Sequence, residues 1–134
     1  FEGYFDGNGY TVKNLKFNGS TTSKYVGLFG NCDGAIIKNL NISNVTINIE
    51  TSDVVYVGAV VGKLEKGKLS NCTSSGQITV HSNGYAVIIG GIAGKTTETK
   101  LESCSSTIIK DGQSDGHNPP NVVKVFIGDI CGKE

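Results

Sequence analysis

The chain has 134 residues, with 12 lysines, 12 acidic residues and no arginine, so its formal net charge is zero. This balance excludes the basic surface with which proteins bind nucleic acid or an anionic membrane. Val and Ile together number 26, against 10 for Leu and Ala. Because branching at Cβ restricts rotamers in a helix and suits a pleated sheet, a helical fold is excluded as well. We therefore predict an all-β chain.

Nine apolar stretches separated by turn-forming residues predict short β-strands. In chain order these are residues 11–17, 36–42, 45–50, 54–61, 68–73, 77–81, 85–93, 101–109 and 122–131. Turns between them are marked by Gly after Asp, Asn or Ser, as at Asp33-Gly34 and Asn83-Gly84. The longest apolar run, residues 85–93, is far below the ~20 residues needed to cross a bilayer, so we expect no membrane insertion.

Four similar tetrapeptides recur along the chain. They are Gly27-Leu28-Phe29-Gly30, Ala59-Val60-Val61-Gly62, Gly91-Ile92-Ala93-Gly94 and Asp129-Ile130-Cys131-Gly132. The first two intervals between their closing glycines are identical, and the last is longer by six positions. A second motif recurs with the same period, as Ile37-Lys38-Asn39-Leu40, Leu69-Ser70-Asn71-Cys72 and Leu101-Glu102-Ser103-Cys104. Val12-Lys13-Asn14-Leu15 fits the same pattern, but it precedes the Ile37 copy by less than one period. Two motifs in one register indicate an internal repeat.

The constant period that carries Gly30 to Gly62 and Gly62 to Gly94 predicts a solenoid, because each coil must place the same residue type above its neighbour. Stacked coils of two or three strands put equivalent positions ~4.8 Å apart. Asn14, Asn39 and Asn71, followed by Ser103, are expected to form a hydrogen-bonded ladder with a bend of the chain at the asparagine. An antiparallel sandwich remains the alternative, since two-residue Asn-Gly and Asp-Gly turns also support hairpins.

At these motifs the sequence resembles the GLUG-repeat family. Gly27-Leu28-Phe29-Gly30 matches the family motif outright, and residues 5–15 resemble the segment that leads into such repeats; in later copies Ala59 and Asp129 replace the first Gly. The resemblance implies a right-handed parallel β-solenoid, here of about four coils, within a large secreted or wall-anchored bacterial protein. Such proteins include adhesin-like proteins and the non-catalytic regions of immunoglobulin A-cleaving metallopeptidases. The family has no assigned catalytic residues.

Catalytic chemistry is not expected in this chain. Its carboxylates are dispersed, and without arginine a uronate-cleaving site lacks its usual cation. The turn Asp6-Gly7-Asn8-Gly9 does not fit a calcium loop, because Tyr10 takes a ligand position. The four cysteines include no Cys-x-x-Cys pair for zinc, and the in-phase Cys72 and Cys104 are predicted to stack as buried free thiols. We predict no catalytic, cofactor or metal site.

Two regions offer candidate ligand-binding residues. Tyr25, Tyr56 and Tyr85 precede successive motif copies and are candidates for an exposed aromatic row. Asp115 and His117 lie in the segment that lengthens the last interval and contains both prolines. An insertion in one coil projects as a loop, where solenoids often place binding residues. The simpler interpretation of the tyrosines is that they pack in the core or at an edge. The simpler interpretation of the segment with Asp115 and His117 is an ordinary loop.

The sequence thus predicts a non-catalytic repeat module of an extracellular or cell-surface bacterial protein, acting as a rigid spacer or an adhesin-like binding surface. The expected partners are a host glycan or protein, or copies of the module stacked end to end. The alternatives are part of a β-helical carbohydrate-active enzyme, the accessory region of a secreted peptidase, and a self-assembling solenoid. Repeat units are predicted at about 1–25, 26–56, 57–88, 89–126 and 127–134, in a segment of a longer chain.

Overall fold

The computed structural model describes residues 2–21, 23–83, 86–114 and 125–133, and these ranges contain strands and turns but no helix. The first coil contains β1 (Tyr4–Asp6), β2 (Thr11–Lys13), β3 (Lys16–Ser20), β4 (Tyr25–Val26) and β5 (Phe29–Asp33). The second contains β6 (Ile36–Lys38), β7 (Asn41–Thr51), β8 (Val55–Val57) and β9 (Val61–Glu65). The third contains β10 (Lys68–Ser70), β11 (Thr73–Ser82), β12 (Val87–Gly90) and β13 (Ala93–Thr97). The fourth contains β14 (Lys100–Glu102), β15 (Ser105–Ser106), β16 (Ile109–Ser114), β17 (Val125–Gly128) and β18 (Cys131–Lys133).

The strands stack into four parallel sheets, and every coil adds one rung to each sheet. The first sheet is β1-β6-β10-β14, the third is β4-β8-β12-β17 and the fourth is β5-β9-β13-β18. The second sheet is built on β7 and β11, with β2 and β3 on one side and β15 and β16 on the other. The predicted parallel β-solenoid is therefore confirmed, and the predicted number of about four coils is close to the observed one. Parallel pairing rules out the antiparallel sandwich.

The core is one apolar column enclosed by the four sheets. Along β7, Ile42, Val45, Ile47 and Ile49 are buried, while Asn48 between the last two faces solvent. Ile37 and Leu69, which are register partners on neighbouring rungs, are both fully buried. Each such side chain stabilises the fold by about 1.5–3 kcal/mol relative to exposure. The excess of Val and Ile in the composition arises because the same inward-facing positions are occupied by these residues on one rung after another.

Asparagine corners break several of the strands that the sequence predicts as continuous. Predicted strand 36–42 is divided into β6 and β7 at Asn39, and predicted strand 68–73 is divided at Asn71. Both asparagines, and Ser103 on the next coil, are left-handed, with φ of 55°, 52° and 52°. Asn is among the few residues that adopt this conformation readily, because its short polar side chain hydrogen-bonds locally. The predicted bend at the asparagine is where one sheet ends and the next begins.

Asn14 does not join the ladder that the sequence predicts. In the observed register Val12 pairs with Ile42 and Phe5 pairs with Ile37. Asn14 therefore lies at a second corner, where its Oδ1 accepts a hydrogen bond from Asn44 Nδ2 at 2.9 Å. The apolar-x-Asn-apolar pattern occurs twice within one coil, and the sequence prediction aligns the first coil with the wrong copy.

The motif glycines stand where neighbouring backbones leave no room for a side chain. A Cβ on Gly62 would lie 2.7 Å from the carbonyl oxygen of Gly30, and one on Gly58 would lie 2.6 Å from the Cα of Ala93. Gly27 and Gly58 both directly follow a register-paired third-sheet residue, Val26 and Val57. Counted from the third sheet, the residue opposite Gly27 is thus Gly58. Counted from the fourth sheet, where Phe29 pairs with Val61, it is Ala59, as the sequence alignment predicts. Gly128, paired with Gly90, likewise precedes Asp129.

Candidate binding surface

Two stacked tyrosines form an aromatic pair on the outer face of the third sheet. Tyr25 and Tyr56 are register partners on β4 and β8, and their ring centroids lie 5.5 Å apart with an interplanar angle of 20°. Both side chains are partly exposed. On the third rung the register partner of Tyr56 is the buried Ile88. The expected row is therefore a pair, since Tyr85 is not the residue aligned with Tyr56 and lies outside the described residues.

Two lysines of the fourth sheet reach the tyrosine pair. Lys63 Nζ lies 5.8 Å from the ring centroid of Tyr25, and Lys95 Nζ lies 5.7 Å from that of Tyr56. Each lysine belongs to the coil that follows the coil of its tyrosine. Lys63 lies on β9 of the second coil and Tyr25 on β4 of the first, while Lys95 lies on β13 of the third coil and Tyr56 on β8 of the second. We call Tyr25, Tyr56, Lys63 and Lys95 the tyrosine–lysine strip.

The two lysine charges of the strip are not neutralised by carboxylates. Within the described ranges neither Lys63 nor Lys95 forms an ion pair. Lys68 and Lys100 of the first sheet, in contrast, both pair with Glu102, at 3.2 and 2.8 Å. The strip therefore presents aromatic rings together with unpaired positive charge, and this combination suits an anionic ligand.

The asparagine ladder is structural in character. Asn71 Nδ2 donates to Asn39 Oδ1 at 2.9 Å, and Asn39 Nδ2 donates to Asp6 Oδ1 at 3.1 Å. The same Asp6 oxygen accepts a hydrogen bond from the backbone N–H of Asn8 at 2.8 Å. The hydrogen bond from the Asn8 backbone has the larger effect and that from the Asn39 side chain the smaller, and both hold the pKa of the Asp6 carboxyl below its usual value. The side chains of the ladder thus serve to join one coil to the next.

Among the described residues, the other residues that the sequence marks as chemically notable form no common site. Cys72 is buried and Cys104 partly buried, and both are free thiols on adjacent coils. A hydrogen bond with Cys104, together with burial, raises the pKa of the Cys72 thiol. Among the described residues no three His, Cys, Asp or Glu side chains are grouped to hold a metal ion. Asp115 and His117 lie outside the described residues.

Sequence reasoning missed both lysines of the strip, although the sequence carries a signal for them. Each directly follows a closing glycine, as Gly62-Lys63 and Gly94-Lys95, and Lys133 follows Gly132 in the same way. Reading one position beyond the motif would have placed a lysine on three successive rungs. Only the contact of those lysines with the tyrosines, which lie on a different sheet, required the structure.

Comparison with known proteins extends the sequence resemblance. The family model of the GLUG motif matches residues 53–80, which span one circuit from β8 to β11. The predicted resemblance to GLUG repeats is thereby confirmed for this part of the chain. A stretch of 80 residues is 35% identical to halomucin of Haloquadratum walsbyi.

That alignment covers 58% of this chain but 1% of halomucin, so the chain spans a very small part of its relative. No solved structure matches the chain. In the described part of the chain there is also no helix with the length and apolar character to span a membrane.

Proposed function

We propose that the chain is a non-catalytic repeat module of a much longer extracellular or cell-surface protein. Its first role is that of a rigid spacer. The observation that carries this proposal is the parallel pairing of equivalent strands from coil to coil, in which each added coil lengthens the rod by ~4.8 Å. The similarity to a relative about a hundred times longer than the aligned stretch supports a module within a long chain.

The second proposed role is binding, through the outer face that carries Tyr25 and Tyr56, to a glycan or protein of a host. Exposed aromatic side chains with a polar tip are favoured at binding surfaces, because they combine apolar contact with hydrogen bonding. The dispersed carboxylates support a non-catalytic role. Asp6 is committed to the asparagine ladder and Glu102 to two lysines, so neither is free to act as an acid or base.

Surface labelling of intact cells tests the proposed location. Antibodies raised against the folded chain are applied to cells of the source organism before and after permeabilisation, with a cytoplasmic enzyme as the internal control. We expect labelling before permeabilisation, when the control enzyme is not labelled. Labelling that requires permeabilisation would overturn the surface location.

A further inference from the structure

We propose that the tyrosine–lysine strip binds an acidic polysaccharide, a linear chain that carries carboxylate or sulfate groups on successive sugars. This inference rests on the proposed binding face and specifies its ligand, but it does not depend on the spacer role. The residues that carry it are Lys63 and Lys95 for charge, and Tyr25 and Tyr56 for contact with the sugar rings.

The charge of the strip calls for an anionic partner. Two ammonium groups on neighbouring coils lie against the rings of Tyr25 and Tyr56, at 5.8 and 5.7 Å, without a described carboxylate to pair with them. A cation–π contact is weak compared with a hydrogen-bonded ion pair, and it leaves the ammonium hydrogens free to donate. An anion can therefore join each lysine without displacing an existing ion pair.

The aromatic rings beside the charges favour a polysaccharide over an acidic peptide. Equivalent positions on neighbouring rungs are ~4.8 Å apart along the solenoid axis, and Tyr25 and Tyr56 present two stacked rings in succession along it. The C–H faces of successive sugars can contact such rings, while their charged groups reach the lysines that lie over the same rings. A chain of acidic sugars lying along the axis thus uses both parts of the strip.

The surroundings of the strip limit where the ligand lies. Asp33 and Glu65 are register partners on β5 and β9, two residues beyond the rung positions of Asn31 and Lys63. These carboxylates lie on the same outer face as the lysines, at the end of each strand away from the third sheet, and they repel an anionic chain from that end. The ligand is thus directed toward the third sheet, where the phenol groups of Tyr25 and Tyr56 can hydrogen-bond to sugar hydroxyls and the rings can contact C–H groups.

Binding of the full chain to matched polysaccharides tests this inference. The probes are polygalacturonate, the same polymer with its carboxylates methyl-esterified, the pair dextran sulfate and dextran, and polyglutamate as the acidic peptide, each measured by calorimetry at low salt. We expect binding to the charged member of a pair and at least tenfold weaker binding to its neutral counterpart. The two charged probes distinguish a carboxylate ligand from a sulfate ligand.

Variants locate the site on the strip. The double change Lys63→Gln with Lys95→Gln should weaken binding at least tenfold, and Lys→Arg at both positions should retain it. The matched control is Lys13→Gln with Lys16→Gln, which removes the same charge from the second sheet and should change affinity less than twofold. Glu65→Gln should strengthen binding a few-fold, because it removes a repulsive charge. Far-UV circular dichroism confirms that each variant is folded.

Four outcomes would overturn the inference. Equal binding to neutral and charged polymers would remove the acidic ligand but keep a glycan-binding face. Equal losses in the strip and control variants would show general attraction to lysines and no site. Tighter binding to polyglutamate than to any polysaccharide would assign the strip to an acidic peptide. Failure of all probes would remove the acidic polysaccharide as the ligand but not a protein ligand of the same face, and the surface labelling tests the module independently.

Discussion

Single residues at the corners decide where each coil turns. Asn39 and Asn71 each hold a left-handed backbone and at the same time use their side-chain amides to join adjacent coils. Ser103 adopts the same φ at the equivalent position of the fourth coil. Asparagine suits these positions because it tolerates positive φ and offers both a donor and an acceptor.

Two substitutions of Asn71 separate its two contributions. Asn71→Ala should lower the free energy of unfolding by about 2 kcal/mol. Alanine loses the hydrogen bond to Asn39, and it has no polar side chain to compensate for the left-handed backbone at this position. Asn71→Gly should cost about 1 kcal/mol or less, since glycine enters that region freely. Urea unfolding followed by circular dichroism measures both values. The outward-facing Asn48→Ala is the control, and an equal loss for Ala and Gly would contradict the argument.

Pairs of strands are joined by side chains as well as by backbone hydrogen bonds. On the first sheet the Glu102 carboxylate of β14 reaches Lys100 on its own strand and Lys68 on β10. The hydrogen bond to Lys100, followed by that to Lys68, lowers the pKa of Glu102 below its ordinary 4.5. The ion pair therefore links neighbouring rungs, and its contribution depends on pH and salt.

The pH dependence of stability follows from the lowered pKa of Glu102. A carboxyl whose pKa is lower in the folded state stabilises the fold above its unfolded pKa, and this contribution is lost as the pH falls through the folded value. Stability should thus decrease from about pH 5 downward in the native chain, and less steeply in Glu102→Gln. Urea midpoints across this range measure the slope. Glu50→Gln, which removes an exposed carboxylate from β7, serves as the charge-matched control.

The whole molecule is a stack in which each coil contacts its immediate neighbours. Rungs pair in the order of the coils in all four sheets, so stability is close to a sum of coil and interface terms. The register partner of Ile36 is Lys68, which lies one full period later in the chain. Removal of one complete period consequently brings equivalent strands into contact.

Two deletions test this additivity. Removal of residues 36–67 joins Ala35 to Lys68 and keeps every strand on its own sheet, so the shortened chain should fold. Because one of four rungs is lost, its urea m-value should fall by about a quarter. Removal of residues 36–51 deletes half as many residues but shifts third-sheet strands onto the first sheet. The smaller deletion should abolish cooperative unfolding, and a folded product with an intact m-value would contradict the stacked register.

The fold class could be predicted from the amino-acid sequence. A constant repeat length that keeps Gly62 and Gly94 in one phase favours a parallel solenoid over an antiparallel sandwich, because stacked coils require the same residue at the same step, and the parallel pairing of β9 with β13 confirms the solenoid. The sequence also predicted the bends at Asn39 and Asn71. These features follow from steric limits on single positions, which the residue types themselves record.

The tertiary structure decided which equivalent-looking residues meet. Asn14 fits the pattern of Asn39 and of Asn44 equally well, and only the stacking of the first coil on the second assigns it to Asn44. Lys63 and Tyr25 are likewise more than one period apart in the chain and on different sheets, yet they lie in contact. Local sequence determines how the chain turns at each corner, but side-chain neighbours across a corner depend on the summed lengths of all the segments between them.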